Sequence, residues 1–564
     1  MTRIILKYRW IIIVASVILT LAGMTLMPRM ETDPDIRNYI PDDMVSRINT
    51  DLIEQEFGVQ DMIMVIFRDS QIITKDNLLR IKTIERAISR IPSINNTLSP
   101  FSTKHIYSKD GAMIVESAIG QIPGSKYEIE TLKSGLRANP LVMGLVISED
   151  FTMAAIAATV DNSEAEEQIL ARVDSIIDAN PGEAQVFCGG LPYIRKAIMN
   201  DVRRDGLLLV PLALVIMLLF LWYAFREWKG MVIPFTVVAM SIAVAMGIAP
   251  MLGWKLSIIS LIVPVMLIAV ANDYGIHMIA KYQELTSREP NRSMLSIVQE
   301  ITEKLRKPIF FTGLTTIAGV LGLLTHSVIP ARHVGVMTAV GVAFAILLTL
   351  FLMPAWLSFL KPGKSRHTQK ANPGKNLLEN SLGHAARFIT RRPVRILVVS
   401  SVLTILFAAG IFLIRVDSNQ ENFFPKKHPV KISSTLINSG FGGSQSISVM
   451  VKGDIKDPVM LNSLDRWTEE VEKIEGVGHV YTISAAIKEM SKGLYDTGDT
   501  GYNSIPPTRD AVAQLLVLYN MSGDPADFEK LVDYDYTEAH MMIRLSNPEN
   551  HTIKRVIAGI NELA

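Results

Sequence analysis

The sequence predicts a polytopic α-helical membrane protein with two α+β domains outside the bilayer. Three observations carry that reading. Seven separate apolar runs are each long enough to cross about 30 Å of hydrocarbon. Basic segments join alternate ends of these runs, and the two long polar segments repeat one another. Of the 564 residues, 49% are hydrophobic, gathered in blocks rather than spread at core-forming intervals.

The runs extend from about Trp10 to Met27, Gly206 to Phe225, Met231 to Leu252, Leu256 to Ala280, Pro308 to Thr325, Val334 to Leu357 and Val394 to Ile414. Positive charge collects at Arg3, Lys7 and Arg9, at Arg226 and Lys229, from Lys281 to Lys307, and from Lys361 to Arg395. By the positive-inside rule these segments and the N-terminus face the cytoplasm, in the cytoplasmic membrane. The expected organisation is a first span over 1–27, an outer domain over 28–205, spans two to six over 206–358, a cytoplasmic linker over 359–393, a seventh span over 394–415 and a second outer domain over 416–564. Within the second to sixth spans, 281–307 alternates charges with Met294, Ile297, Ile301 and Leu305, which predicts an amphipathic helix on the cytoplasmic membrane surface. A cleaved signal peptide is the other reading of the first run, because its flank is basic. No A-x-A site follows, and the run is long for such a segment.

The run METDPDIRNYIPDD after the first span matches RVDSNQENFFPKKH after the seventh, aligning Asp33 with Asp417 and Pro41 with Pro425. In the same register Phe57 and Gly58 meet Phe441 and Gly442, and TMAAIAATVDN recurs as EAHMMIRLSN. One helix plus one outer domain is therefore duplicated. The first copy is followed by five more spans, whereas the counterpart of Ala564 falls near Ala179, so the second half reads as incomplete. Either the sequence is a piece of a longer chain or the protein is a half that pairs with another.

Within the first outer domain, Met62 to Phe67 reads as a strand. It precedes an amphipathic helix with Leu78, Ile81, Ile84, Ile88 and Ile91 on one face. Strands at Leu145 to Ile147 and Thr152 to Thr159 flank the turn Glu149-Asp150; a helix from about Ser163 and a strand Gln185 to Cys188 follow. That order suits a split βαβ, ferredoxin-like layer.

A net charge of +1, without a basic stripe interleaved with aromatics, points away from nucleic acid. The single cysteine, Cys188, excludes an intramolecular disulfide and a CxxC metal site. No Walker loop, metal-spaced His cluster or G-x-S-x-G elbow is present, so neither an enzyme nor a cofactor is expected.

The residue that stands out is Asp273, inside the fourth run. An ionised Asp at bilayer depth costs about 2.5–3.5 kcal/mol even on insertion scales, so such a residue is a functional-site candidate. No Lys or Arg occurs in that run after Lys255. Protonation at Asp273 would make the chain a proton-coupled transporter; a structural Asp capping a broken helix is the other reading. Tyr274 can donate a hydrogen bond to a carboxylate on a neighbouring helix or sit as an interfacial aromatic. His277, four residues on, shares the face of Asp273 and could relay a proton or simply be solvated. In the fifth run Thr312, Thr315, Thr316, Gly319 and Gly322 share a face suited to close helix packing, with Thr315 and Thr316 candidates to face the relay.

Four motifs carry a family resemblance: ANDYGIHMIAKYQE at the end of the fourth run, FFTGLTTIAGVLGLLT in the fifth, GVMTAVGVAFAILLTLFLMPAWLSF in the sixth, and VFCGGLPYIRKAIMNDVRRD leading into the second. With them the chain resembles, over essentially its whole length, the resistance-nodulation-division (RND) superfamily in its MMPL-like branch of hydrophobe exporters. The resemblance implies twelve helices in two pseudo-symmetric halves and proton-driven export through Asp-Tyr pairs on helices four and ten. Only the helix-four pair carries over, to Asp273 and Tyr274. Ala269 stands where the family often has Gly, and helix ten has no counterpart here. An outer segment of this size leaves little room for the docking subdomain of tripartite drug pumps, which favours a lipid or hydrophobe substrate. The expected function is thus a proton-driven exporter whose partners are protons, membrane lipids and a hydrophobic or lipid-like substrate, with homo-oligomerisation left open. The rivals are a non-transporting sterol- or lipid-sensing protein and a protein-translocation auxiliary of the SecD/SecF type.

Overall fold

The computed structural model describes residues 2–33, 35–58, 61–109, 112–160, 165–289, 291–360, 377–414, 419–496 and 498–563. Asp417 of the repeat, the expected helix start at Ser163, Ala564 and positions 361–376 of the linker lie outside them.

In chain order, a short helix α1 (Thr2–Lys7) precedes the first long apolar helix, α2 (Arg9–Leu26). Then come α3 (Val45–Phe57), β1 (Met62–Arg68), α4 (Lys75–Ile88), β2 (Ile94–Leu98), β3 (Lys104–Lys109), β4 (Ala112–Ser117), α5 (Lys126–Arg137), β5 (Met153–Val160), α6 (Glu166–Ala179) and β6 (Gln185–Gly189). The apolar block follows as α7 (Leu191–Phe225), α8 (Trp228–Met251), α9 (Ile262–Arg288), α10 (Met294–Leu321) and α11 (Ile329–Leu347), which passes through a π-helical turn, Leu348–Leu352, into α12 (Met353–Leu357). After α13 (Leu377–Arg391) and α14 (Pro393–Ala409) the second of the two segments expected outside the bilayer, called outer from here on, gives α15 (Pro429–Gly440), β7 (Gln445–Lys452), α16 (Pro458–Glu472), β8 (Val477–Tyr481), α17 (Ile483–Lys492), α18 (Arg509–Ser522), β9 (Glu538–Leu545) and α19 (Asn550–Leu563). The chain forms two compact units, Met1–Pro41 with Ile198–Arg415, and Asp42–Ala197 with Val416–Ala564.

Among the described residues, seven helices of the first unit are long and apolar enough to cross a membrane. The third and sixth are the most enclosed, and α14 has no buried residue. Between apolar helices in lipid there is little hydrophobic drive, so close approach of small residues matters. Helix α2 crosses α8 backbone against backbone at Gly23, Ala243 and Gly247: a Cβ on Gly247 would lie 2.7 Å from the Cα of Gly23. At the start of α2, the Arg9 guanidinium sits 4.1 Å over the ring of Phe359, just past α12, and donates to the Ser358 hydroxyl at 3.4 Å. Trp10 packs on Phe359 with ring centroids 5.0 Å apart.

Three sequence expectations change. The amphipathic stretch 281–307 is not a separate surface helix. Its first part prolongs α9, held by Lys281 and Arg288 pairing with Glu284 at 2.7 and 3.1 Å, and its second part opens α10 behind the Ser293 cap. Met294, Ile297 and Ile301 are buried in the helix bundle rather than left for lipid. The second span begins at Leu191 rather than Gly206, because its polar first turns continue the same helix. The strand expected at Leu145 to Ile147 is a turn: Gly144, at φ +72°, folds the chain back so that its N–H donates to the Ile147 carbonyl at 2.8 Å.

The first outer domain has a four-stranded antiparallel sheet in the order β2-β5-β1-β6, with Met62 opposite Thr159 and Val65 opposite Cys188. Its core joins Val65 and Phe67 to Leu78, Ile81, Ile84 and Ile88 of α4 and to Ile169, Leu170 and Val173 of α6. In the second outer domain the order β7-β9-β8 reproduces that of β1, β5 and β2. Both repeats turn at the same place: Gly58 and Gly442 adopt φ of +57° and +76° after the buried Phe57 and Phe441. Arg195, near the start of α7, is buried between Asp61 and Glu166.

Candidate functional site

The site builds on α9. Val263, Leu267, Ala271, Tyr274, Met278 and Tyr282 recur every three or four residues and face the bundle. The opposite stripe, Ile262, Val265, Ala269, Asp273 and His277, is exposed. Asp273 stands about 16 Å along the helix axis from Ile262, within the apolar run. Its carboxylate is 55% exposed and 3.5 Å from Nε2 of His277. The fourth span therefore carries a carboxylate and an imidazole together on its exposed face.

Tyr274 points the other way. It is buried, and its hydroxyl lies against Gly313 of α10, where a Cβ would come within 3.4 Å of it. Thr316 is the side chain that interacts with this hydroxyl, without a well-formed hydrogen bond among the described residues. Thr315 and Thr316 both return their hydroxyls to the carbonyl of Thr312, at 2.8 and 2.9 Å. Thr312, Thr315 and Gly319 are exposed, and Gly319 and Gly322 have open space before them. The structure thus joins Asp273 to His277 and Tyr274 to α10, while Asp273 and Tyr274 occupy different faces of one helix.

Three polar groups in the bundle escaped sequence reasoning. The Asn272 side-chain oxygen and the hydroxyls of Thr338 and Thr349 are buried without a hydrogen-bond partner among the described residues. Thr349 lies in the π turn, a feature that often marks functional positions. The available signal was Pro354: with no N–H, it cannot continue the ordinary helical bonding beside it. Asn272 had a signal too, as a second polar residue beside Asp273.

The MMPL family pattern matches residues 39–396. The chain belongs to the MMPL family. This is the RND-superfamily branch that the motifs of the fourth to sixth spans resemble, and the chain is a multi-pass membrane protein. It is 23% identical over 530 residues to membrane protein YdfJ of Bacillus subtilis, covering 91% of this chain and 65% of that one. It is 22% identical over 288 residues to the hopanoid transporter HpnN of Rhodopseudomonas palustris, covering 50% and 32%. To the probable transport protein MmpL8 of Mycobacterium bovis it is 21% identical over 298 residues, covering 51% and 27%. The chain spans less than two thirds of the length of each of these three relatives.

Proposed function

We propose that this chain works as a proton-driven RND-type exporter of hydrophobic or lipid-like molecules from the cytoplasmic membrane, with its N-terminus in the cytoplasm and its outer domains outside. The observation that carries the reading is Asp273, a carboxylate exposed on the face of the fourth span that the bundle leaves uncovered. An ionised carboxylate exposed to hydrocarbon costs about 2.5–3.5 kcal/mol. The stripe containing it is therefore read as a surface that another helix covers, from a second half or a second copy. The small-residue face of α10 supports the same reading, because it offers close packing with no occupant among the described residues.

In this mechanism Asp273 takes up the proton and His277, 3.5 Å away on the same stripe, exchanges it with the cytoplasmic side. Tyr274 fixes the rotation of α9 against α10, and Thr315 and Thr316 line the adjoining surface. Neutralising Asp273 removes the cost of its charge and lets α9 slide against its covering helix. One proton crossing the membrane supplies about 2.3 kcal/mol per 100 mV, enough for well over a tenfold gradient of cargo. Transport by HpnN, as its name states, supports a lipid-like cargo. The strand order of the first outer domain supports the split βαβ, ferredoxin-like reading of that layer.

The test is flux of the hydrophobic dye N-phenylnaphthylamine in proteoliposomes with an imposed pH gradient. Flux should follow the gradient, stop with an uncoupler, and fall at least tenfold in Asp273→Asn while that variant stays folded. Flux that is indifferent to the uncoupler, or that persists in Asp273→Asn, overturns the proposal in favour of a lipid-sensing role.

A further inference from the structure

The outer unit encloses a cavity of about 470 Å³, within the range of small-molecule sites. Strands β2 and β5 of the first outer domain, with Met62 of β1, form one wall; α16, β8, α17 and β9 of the second form the other. Much of the surface is apolar, with Met62, Leu98, Ala157 and Met542 among the lining residues.

Most charges in this cavity are paired; among the described residues the lining carboxylate Glu469, which is exposed, forms no salt bridge. Asp465 pairs with Lys488 at 3.0 Å, Asp527 with Lys104 at 3.4 Å, Glu472 with His479 at 3.1 Å, and Glu489 with Lys492. Lys530 and Arg544 differ: among the described residues neither forms a salt bridge with a carboxylate. The Lys530 ammonium donates to the Thr159 hydroxyl at 2.5 Å. Arg544, only 6% exposed, donates to the Phe441 carbonyl at 2.9 Å and turns its other amino group toward the Met62 sulfur at 3.8 Å. Met62 and Thr159 are directly opposite on β1 and β5, where side chains of a pair stand roughly 5 Å apart. Both cationic heads therefore converge on one rung of the sheet.

Two largely buried cations that reach the same rung, neither held in a salt bridge, leave a place for an anion, and holding both without one is costly. Burial pushes the Lys530 ammonium below the usual lysine range, as expected for a charge lacking a partner. Beside them the Tyr481 hydroxyl is buried with no hydrogen-bond partner among the described residues, and its ring lies 5.4 Å from the Arg544 guanidinium. A ligand oxygen would satisfy that hydroxyl.

We propose that this cavity binds a single-chain amphiphile by its anionic head, a carboxylate or phosphate held by Lys530, Arg544 and Tyr481, with the chain against the apolar wall. This deepens the export reading by naming the class of cargo; it rests on that reading only for the statement that the bound molecule is transported.

The test uses the full chain in phosphatidylcholine nanodiscs with three diazirine-labelled probes: palmitate, lysophosphatidate and hexadecanol. Photocapture is mapped by mass spectrometry. Palmitate and lysophosphatidate should label peptides around Ala157, Tyr481 and Lys530, with hexadecanol captured at least tenfold less. Lys530→Met and Arg544→Met should each lower capture of the acid about tenfold, the scale of one charge-assisted hydrogen bond, while Lys530→Arg retains it. Ala485→Trp, which fills the cavity from α17 without touching either cation, should block it. Equal capture of acid and alcohol, labelling elsewhere, or full capture by Lys530→Met overturns the proposal. Displacement by inorganic phosphate without competition by palmitate also overturns it, giving the site to a free anion. Asp273→Asn should capture palmitate normally. Capture without any flux would sink the export reading alone; flux of neutral hydrophobes without preferential capture of the acid would sink the site alone.

Discussion

The crossing of α2 and α8 makes a quantitative prediction about two glycines in one protein. Gly247→Ala places a methyl carbon 2.7 Å from both the Cα and the carbonyl oxygen of Gly23, and these are backbone atoms that cannot swing aside. Ordinary carbon contacts lie at about 3.5–4.0 Å, so α2 must retreat by about 1 Å. Overpacking of that size costs about 1–3 kcal/mol. Gly319→Ala places the same methyl on α10 with nothing within 4 Å. Alanine gains about 1 kcal/mol over glycine inside a helix. That gain is common to both variants and cancels in their difference. Gly247→Ala should therefore be less stable than Gly319→Ala by about 1–3 kcal/mol, with Gly319→Ala equal to or above the parent. The assay is equilibrium unfolding in mixed micelles of dodecyl maltoside and dodecyl sulfate, followed by tryptophan fluorescence. If the two variants unfold within about 0.5 kcal/mol of each other, α2 and α8 do not meet backbone to backbone, and the packing account of the first span is wrong.

Three further outcomes are expected. Arg195→Met removes the buried cation between Asp61 and Glu166, and should cost about 3–5 kcal/mol in unfolding of the outer unit; a loss below about 1 kcal/mol would mean the cluster is solvated. His540 is buried, with Nδ1 on the Lys530 carbonyl at 2.8 Å, and burial pushes its pKa below the usual value of about 6.5. The unfolded chain then takes up a proton that the folded one refuses, so stability is complete above about pH 6.5 and is lost as pH falls below it, by at most about 1.4 kcal/mol per pH unit. The stability difference between parent and His540→Asn, measured by urea unfolding from about pH 8 to about pH 5, should change in that window; a flat difference would refute the burial argument. His277→Ala should slow gradient-driven flux less than Asp273→Asn does, since water can replace a relay but not the proton acceptor. Equal losses in the proteoliposome assay would make His277 a co-acceptor instead.

The spans were legible because a long apolar run has few alternatives to a membrane helix. Their ends were not, since hydropathy marks where lipid begins rather than where a helix stops. Leu191 to Asp205 and Lys281 to Arg288 are rich in polar residues yet helical, with pairs such as Lys196 with Asp174 and Lys281 with Glu284. Strand β2, with the sequence INNTL, has no alternating pattern and exists because its backbone pairs with β5. Asp273 and His277 were legible as one stripe, and helical spacing alone sets Tyr274 off that face. Which face the bundle covers is a tertiary fact: Gly313 makes room for Ile346 of α11, with the Tyr274 hydroxyl beside it. The cavity cations were beyond reach for the same reason: Lys530 meets Thr159 across 371 positions of chain, and no local pattern announces that a lysine will lack a carboxylate.

The π turn at Leu348–Leu352 holds one residue more than the helix around it needs, which makes the sixth span a ratchet with a spare tooth. Closing that turn into ordinary helix would pass the extra residue along and rotate everything beyond it by about 100°. Phe359, at the far end, is gripped by Arg9 and Trp10 at the head of the first span. The start of the first span thus touches the sixth at the one end that closing the π turn would rotate, so the two could not both keep their present contacts.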